Sequence, residues 1–418
     1  MARLPQPGAD NDDWGEMLNE FLRVEHHEDG THRSGVFNTF AFGAKGDGVT
    51  DDTAAIQAAL DAAGASGGVV WLAPARNFYR CQGTLIIPPH VTLKGGFGGM
   101  RRGHKLWNDS PRGSILFTYS TDNFIMMNHD ATLDGVEIFY PEQVMAGAPH
   151  AYGWTIIIPR HQHGVTIRNV TCPNPYQFIY ASADGLLIDG VQGYPLYKGI
   201  KLGRVGDVAR INNVQFNPNV IPSLDVSLRS WVQAQGSCLD LEMAEEFMIQ
   251  NFFGYGYLRG IWFTGNVTQE GMPGNYGSVS NFGFDSVREG ILIETKGVSG
   301  RQGLSLNNGR IIPFAGEVGA RAGIKLVDTA IGDTALDPAV SLTNVSFFGP
   351  HERSIWIGPS SGARVTMLGG QCTEYLNEAV LVESPAAAVR LMGVRMFNGI
   401  GPRIHNTGGA DVADLGGM

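Results

Sequence analysis

The chain has 418 residues and a formal net charge of −10, and only 17% of its residues are charged while 57 are glycine. An acidic balance argues against a nucleic-acid partner, which needs a surplus of lysine and arginine. Few charges with abundant glycine suit many short strands joined by tight turns. The four cysteines, Cys81, Cys172, Cys238 and Cys372, are scattered without a Cys-x-x-Cys pair. This disfavours zinc or a disulfide framework and predicts buried free thiols. No apolar run is long enough to span a bilayer, and the first residues lack the apolar stretch of a signal peptide.

Residues 1–35 read as an attached helical segment. Asp12 or Asp13 is placed to cap a short helix whose Trp14, Met17, Leu18, Phe21 and Leu22 share one apolar face. A second helix is expected over Asp51–Ala63, capped by Thr50, with Ile56, Leu60 and Ala63 on its inner side. Gly67-Gly68-Val69-Val70-Trp71-Leu72 follows as a buried strand, and Leu85-Ile86-Ile87 and Val91-Thr92-Leu93 as further short strands.

The run Phe42-Gly43-Ala44-Lys45-Gly46-Asp47-Gly48-Val49-Thr50-Asp51-Asp52-Thr53, with the strands after it, resembles the N-terminal signature of the pectate-lyase-like β-helix family. That family includes phage tailspikes, alginate epimerases and bacterial polysaccharide depolymerases. The resemblance covers about residues 37–100. It implies an all-β, single-stranded, right-handed parallel β-helix over 36–418, its open end capped by the helix within 36–100. It also implies a homotrimer, and an extracellular or virion-associated place of action on a polysaccharide or oligosaccharide. Fold alone does not fix the chemistry.

A repeat supports the fold independently. An apolar residue, any residue, Asn or Gly, and usually another apolar residue recur with the third position at Gly135, Asn169, Gly190, Asn213, Asn251, Asn281, Asn308, Asn344, Gly369 and Gly393. Successive copies lie 21 to 38 residues apart, the period of a solenoid. Asn and Gly suit corners in the left-handed backbone region, and stacked Asn side chains can form ladders.

A second strand recurs between these corners: Gly199–Gly203, Cys238–Glu242, Gly260–Thr264, Gly290–Glu294, Gly323–Val327, Ser354–Gly358 and Ala379–Glu383. Alternation puts the second and fourth residues of each inside and the other three outside. The first outward column is small. The middle one reads Lys201, Asp240, Trp262, Leu292, Lys325, Trp356, Leu381, and the last Gly203, Glu242, Thr264, Glu294, Val327, Gly358, Glu383. Carboxylates, lysines and tryptophans on one face suit a sugar chain, because aromatic rings stack on pyranose faces and charges bind hydroxyls or acidic groups.

Asp240, Glu242 and Glu294 are the candidate catalytic residues. Asp240 and Glu242 are two residues apart, about 6–7 Å along one strand, and Glu294 is two coils on, about 10 Å from Glu242. Glycoside hydrolysis uses two carboxyls, and a separation of about 6.5–9.5 Å predicts inversion. Lys201, Trp262, Lys325 and Trp356 are the candidate substrate contacts, with Arg229 and Trp231 from the insertion Asn217–Gly236. A second insertion, Val267–Tyr276, follows Trp262. The expected function is an inverting endo-glycoside hydrolase acting on an extracellular glycan. A polysaccharide lyase, a fructotransferase-like transglycosylase and a non-catalytic glycan-binding spike are the alternatives. No cofactor is expected. Asp-Pro-His-Glu, the polygalacturonase motifs and an Asp-rich calcium cluster are all missing, so no metal is expected, and His150, His161 and His163 read as surface residues.

Overall fold

A computed structural model describes residues 4, 6, 10, 12–26, 35–96, 113–221, 224–264, 275–294, 298–299, 301–313, 321–327, 338–359 and 361–416. Parts of the predicted 1–35 segment and residues 267–274 of the second insertion lie outside them. The described chain winds as a right-handed parallel β-helix in which each coil lays its strands on those of the coil before. Strands Leu85–Ile87, Ile125–Met127 and Trp154–His163 begin a twelve-stranded parallel sheet that runs in chain order to Ile404–Asn406. The other strands form a second, bent parallel sheet.

The bend in that second sheet is the predicted corner. All ten expected positions have positive φ, from +52° at Asn169 and Asn281 to +71° at Gly135. Asn tolerates this region because its short side chain can hydrogen-bond locally, and here it does so between coils. The Asn213 Nδ2 donates to Asp189 Oδ1 at 2.7 Å and the Asn251 Nδ2 to Asn213 Oδ1 at 3.0 Å. Asn344 donates to Asn308 in the same way, at 3.1 Å.

Inside, the inward positions stack as continuous apolar columns. Ile200, Leu239, Ile261, Ile291, Ile324, Ile355 and Val380 are in register across the twelve-stranded sheet, and all are buried. Rings pack tilted or edge-on from coil to coil as well: Phe178–Phe216, Phe216–Phe252 and Phe252–Phe284 have centroids 6.2, 5.7 and 6.0 Å apart. Each fully buried aromatic contributes roughly 1.5–3 kcal/mol by leaving water. The four cysteines are free and buried, as the composition implied.

Two expectations need correction. The capping helix runs Thr53–Gly64, with Asp52 rather than Thr50 at its N-cap. Thr50 belongs instead to a turn closed by Asp47, whose carboxylate accepts from Val49 N, Thr50 N and Thr50 Oγ1. Those bonds hold the Asp47 carboxyl below the usual range. Asp52 accepts from Lys45 N and Gly46 N, so the acidic pair of the signature serves the cap architecture. The predicted inner residues Ile56, Leu60 and Ala63 are all fully buried.

The second correction concerns the small column, which faces inward. A Cβ on Gly199 would meet Phe216 at 2.6 Å, and one on Gly323 would meet Phe347 at 2.3 Å. Cys238, Ser354 and Ala379 are fully buried. The column is small because core rings from the opposite sheet occupy its space. The N-terminal helix Trp14–Glu25 forms as expected but buries none of its residues, and Trp14 and Phe21 remain exposed.

Two predictions follow from these packing constraints. Asn213→Ala removes two inter-coil hydrogen bonds and places a Cβ-bearing residue without local compensation at φ +55°. Its expected cost is about 2–3 kcal/mol in urea unfolding, and Asn213→Gly, which accepts that conformation, should lose about 1 kcal/mol less. Glu137 is fully buried and neither of its oxygens has a partner among the described residues, so desolvation raises its pKa from 4.5 to about 8. The folded state then binds a proton that the unfolded state has lost above pH 4.5. Stability is full below that pH and declines as pH rises to about 8. Between pH 5 and 8 the wild type should lose on the order of 4 kcal/mol relative to Glu137→Gln, read as the difference in their urea midpoints.

Candidate active site

The outer face of the twelve-stranded sheet carries the predicted middle column in the predicted order. Lys201 is in register with Asp240, Asp240 with Trp262, Trp262 with Leu292, Leu292 with Lys325, and Lys325 with Trp356. The column extends upstream through Tyr180, Ile157 and Met126.

A further outward column stands three residues earlier on each strand: Lys198, Ser237, Arg259, Glu289, Ala322, Arg353 and Glu378. Sequence reasoning missed it. Strict alternation counted back from Ile200 points residue 198 inward, but the strand breaks period here: Gly199 and Ile200 are both buried while Lys198 and Lys201 are partly exposed. The run of basic and acidic residues three positions before the middle column was the available signal.

These two columns interlock. Lys198 Nζ lies 2.6 Å from Asp240 Oδ2, and both side chains are largely covered, at 12% and 4% exposed. Lys201 Nζ lies 2.6 Å from Glu242 Oε1, at 29% and 34% exposed, so this pair meets solvent. Trp262 has Arg259 at 4.5 Å and Lys198 at 5.0 Å from its ring centroid. Each cation is attracted to the negative face of the ring.

Further along the sheet the charges satisfy one another. Arg259 and Lys325 both pair with Glu289, at 2.9 and 3.1 Å. Lys325 and Arg353 lie 4.7 and 5.1 Å from the Trp356 centroid. Trp356 Nε1 donates to Glu383 at 2.8 Å, and Arg353 pairs with Glu378 at 2.8 Å. Two of the predicted substrate contacts, Lys325 and Trp356, are thus engaged in a ladder that spans several coils. Glu294 lies beyond this cluster, in register with Val327.

The insertion Asn217–Gly236 walls the sheet beside the first pair. It forms a short helix, Val226–Gln235, whose N-cap Asp225 accepts from Ser227 N at 2.8 Å. A bond from the Ser227 hydroxyl, together with that backbone bond, lowers the Asp225 pKa. The helix brings Trp231 to 6.0 Å from Tyr197 and 6.3 Å from Tyr176, between ring centroids, and Lys198 lies 5.0 Å from the Tyr197 centroid. Arg229 sits farther back, over Tyr255. The structure therefore brings Asp240, Glu242, Lys201, Trp262 and Trp231 around Lys198, while Glu294, Lys325, Trp356 and Arg229 lie apart.

A pit of about 300 Å³ continues the same face upstream, lined by Arg160, His161, Gln162, Ser182, Asp184 and Arg204. Strand Trp154–His163 carries an irregularity between Ile158 and Gln162, with His161 at φ +70°. Such bulges re-aim side chains at the ends of regular strands. His161 thus joins a lining of acid, base and guanidinium groups, and its sequence neighbours gave no sign of this. A larger groove of about 810 Å³ lies on the other sheet, where Ser278, Ser305, Ser341 and Thr366 are in register. Among the described residues its lining holds one carboxylate, Glu246, with Tyr276 and Arg364 as its other titratable groups. Among the described residues, His90, His129 and Asp130 are the group with metal-ligand chemistry close enough to hold an ion.

Residues 36–102 match the family described as rhamnogalacturonase A/epimerase, pectate lyase-like. The capsule K30/K69-specific depolymerase 1 of Klebsiella phage K5-2 is 43% identical over 93 residues, 22% of this chain and 11% of that protein. Mannuronan C5-epimerase AlgE1 of Azotobacter vinelandii is 42% identical over 113 residues, 24% of this chain and 8% of that protein. The chain thus covers about a tenth of these relatives' length. Among solved structures, the A-module of A. vinelandii mannuronan C-5 epimerase AlgE4 superposes with a TM-score of 0.56 at 15% identity, covering 91% of this chain and 100% of that one. The observed coils and the superposition make this chain a right-handed parallel β-helix, and its residues 36–102 carry a pectate-lyase-like signature. Among the described residues, no helix is long and apolar enough to cross a membrane.

The burial of the Lys198–Asp240 pair has a measurable consequence. Lys198→Met leaves the Asp240 carboxylate covered without its counter-charge, and the expected cost is about 3–5 kcal/mol in chemical denaturation. Lys198→Met with Asp240→Leu should recover most of that loss, since the stranded charge is then gone.

Proposed function

We propose that this chain is a polysaccharide-degrading enzyme whose glycan lies along the outer face of the twelve-stranded sheet, beside the helix Val226–Gln235. Its reaction centre is the cluster of Lys198, Lys201, Asp240 and Glu242, and the leading chemistry is endo-hydrolysis with inversion. The observation that carries this reading is the Asp240–Glu242 pair, two carboxylates on one strand face, flanked by Trp262 and walled by Trp231. Their strand spacing of about 6–7 Å falls at the lower edge of the range that admits a water between them. Glu242, the more exposed, is the group for activating that water, and the Asp240–Lys198 pair faces the leaving oxygen and delivers its proton there. Trp262 and Trp231 line the sugar path. The relatives named as a capsule depolymerase and mannuronan epimerases support a polysaccharide as substrate. They also support an extracellular or virion-associated place of action. A homotrimer is expected from the resemblance to tailspikes.

A second reading draws on the lysines. Lys198 and Lys201 each stand 2.6 Å from a carboxylate of the cluster, and Arg160 and Arg204 line the adjoining pit. Such cations suit a uronate sugar, whose carboxylate must be neutralised before the neighbouring proton is removed in β-elimination.

A panel of neutral and uronate polysaccharides, with products read by mass and ultraviolet absorbance, separates the two. Hydrolysis gives oligosaccharides each carrying the mass of one added water. Elimination gives unsaturated, absorbing ends. Asp240→Asn and Glu242→Gln should each lower kcat about 10²–10⁴-fold with a smaller change in KM. A chain that binds a glycan and leaves it uncut, or variants that turn over at the wild-type rate, would contradict the proposal.

A further inference from the structure

We infer that the chain holds a divalent first-row transition metal ion at His90, His129, Asp130 and His163, a site separate from the carboxylate cluster. The four residues come from three successive coils. Leu85–Ile87, Ile125–Met127 and Trp154–His163 are neighbouring strands of one sheet, with Ile86, Met126 and Ile157 in register. The strands that follow them in the second sheet place Leu93, Leu133 and Ile167 in register. The corners between are therefore stacked as well: His90 N donates to His129 O at 3.3 Å, and Asp130 N to His163 O at 2.7 Å. Coil stacking thus assembles in space a ligand set drawn from positions 90, 129, 130 and 163, which lie 33 to 40 residues apart from one coil to the next. No local spacing motif announces it.

The donor atoms of His90, His129 and Asp130 all lie within 4.8 Å of one another. Asp130 reaches both sides: its Oδ2 is 3.4 Å from His90 Nδ1 and its Oδ1 is 3.6 Å from His163 Nδ1. The His129 ring lies between, 5.3 Å from the His90 centroid and 5.1 Å from that of His163. Donor atoms around a tetrahedral ion with bonds of about 2.0–2.1 Å are roughly 3.4 Å apart, so side-chain rotations close this set without moving the coils. Three imidazoles and one carboxylate match zinc, cobalt, nickel or copper, and not calcium or magnesium, which prefer oxygen.

The backbone makes room for the carboxylate. His90 and Asp130 hold positive φ, +60° and +55°, at the turn. A Cβ on Gly164 would lie 2.2 Å from Asp130 Oδ1, so a side chain there would displace the carboxylate from its place between the histidines. The ligands are partly exposed, at 64% for His90, 62% for His163 and 40% for Asp130, so an ion can enter from solvent. An ion bound there ties three coils together near the capped end of the solenoid.

The test uses the untagged full chain, stripped with chelator and titrated with Co²⁺ under visible absorption, then with Zn²⁺ in calorimetry. The expected result is one equivalent of Co²⁺ giving the intense bands of a tetrahedral site, displaced by Zn²⁺. His129→Ala and Asp130→Asn, the latter keeping a residue that tolerates positive φ, should each weaken Zn²⁺ binding at least tenfold, while His150→Ala leaves it unchanged. Zn²⁺ should raise the thermal midpoint of the wild type and not of His129→Ala. No stoichiometric binding below millimolar Zn²⁺, or binding unaffected by both variants in chains that melt like the wild type, would overturn the inference.

Discussion

The molecule depends on one repeated conformation, a residue held at positive φ where the second sheet bends. Left-handed backbone is costly for most residues, so each coil spends one Asn or Gly on it. The return is that every coil turns at the same point and lies in register on the one below. Parallel strands stacked about 4.8 Å apart then align like positions over the whole length. The Asn side chains add hydrogen bonds between coils at the place where the strand ladder is interrupted.

Register governs the chemistry of the outer face. A charge on one strand has its neighbour one strand spacing away, so isolated charges find partners or repel. The sheet answers with ladders: Arg259, Glu289 and Lys325, then Arg353, Glu378 and His405. Trp262 has Lys198 and Arg259 of the earlier column beside its ring, and Trp356 has one cation from each column, Lys325 and Arg353. Where the ladder is densest the face is self-satisfied and serves stability. It opens toward Lys201 and Glu242, where exposure rises, and the insertion adds its aromatic wall at the Lys198 end of the same cluster. The candidate centre is therefore a local departure from the regular solenoid.

Much of this was legible before any coordinates. The corner positions are chemically restricted, so Asn169, Asn213 or Gly393 announce themselves, and the strands between follow from inward Ile and Leu. The reading failed where a side chain carries no direction. Glycine at 199, 260, 290 and 323 reads equally well as outward or inward, and alternation was extended across a point where the strand breaks it. That one slip hid the column from Lys198 to Glu378, and with it the partner of Asp240. The pit at His161 was hidden by an irregular strand, and the histidine cluster by its spread over three coils. The pit and the histidine cluster are products of three-dimensional geometry that no local pattern encodes.

The central claim is that a glycan engages the outer face of the twelve-stranded sheet around Lys198–Val205 and Ser237–Ala244. Hydrogen–deuterium exchange, with and without a polysaccharide that the chain turns over, tests it directly. The account predicts slowed exchange in those two strands and in the helix Val226–Gln235. Protection confined to the serine-lined groove of Gly277–Ser280, Leu304–Asn307 and Ala339–Thr343 would contradict it.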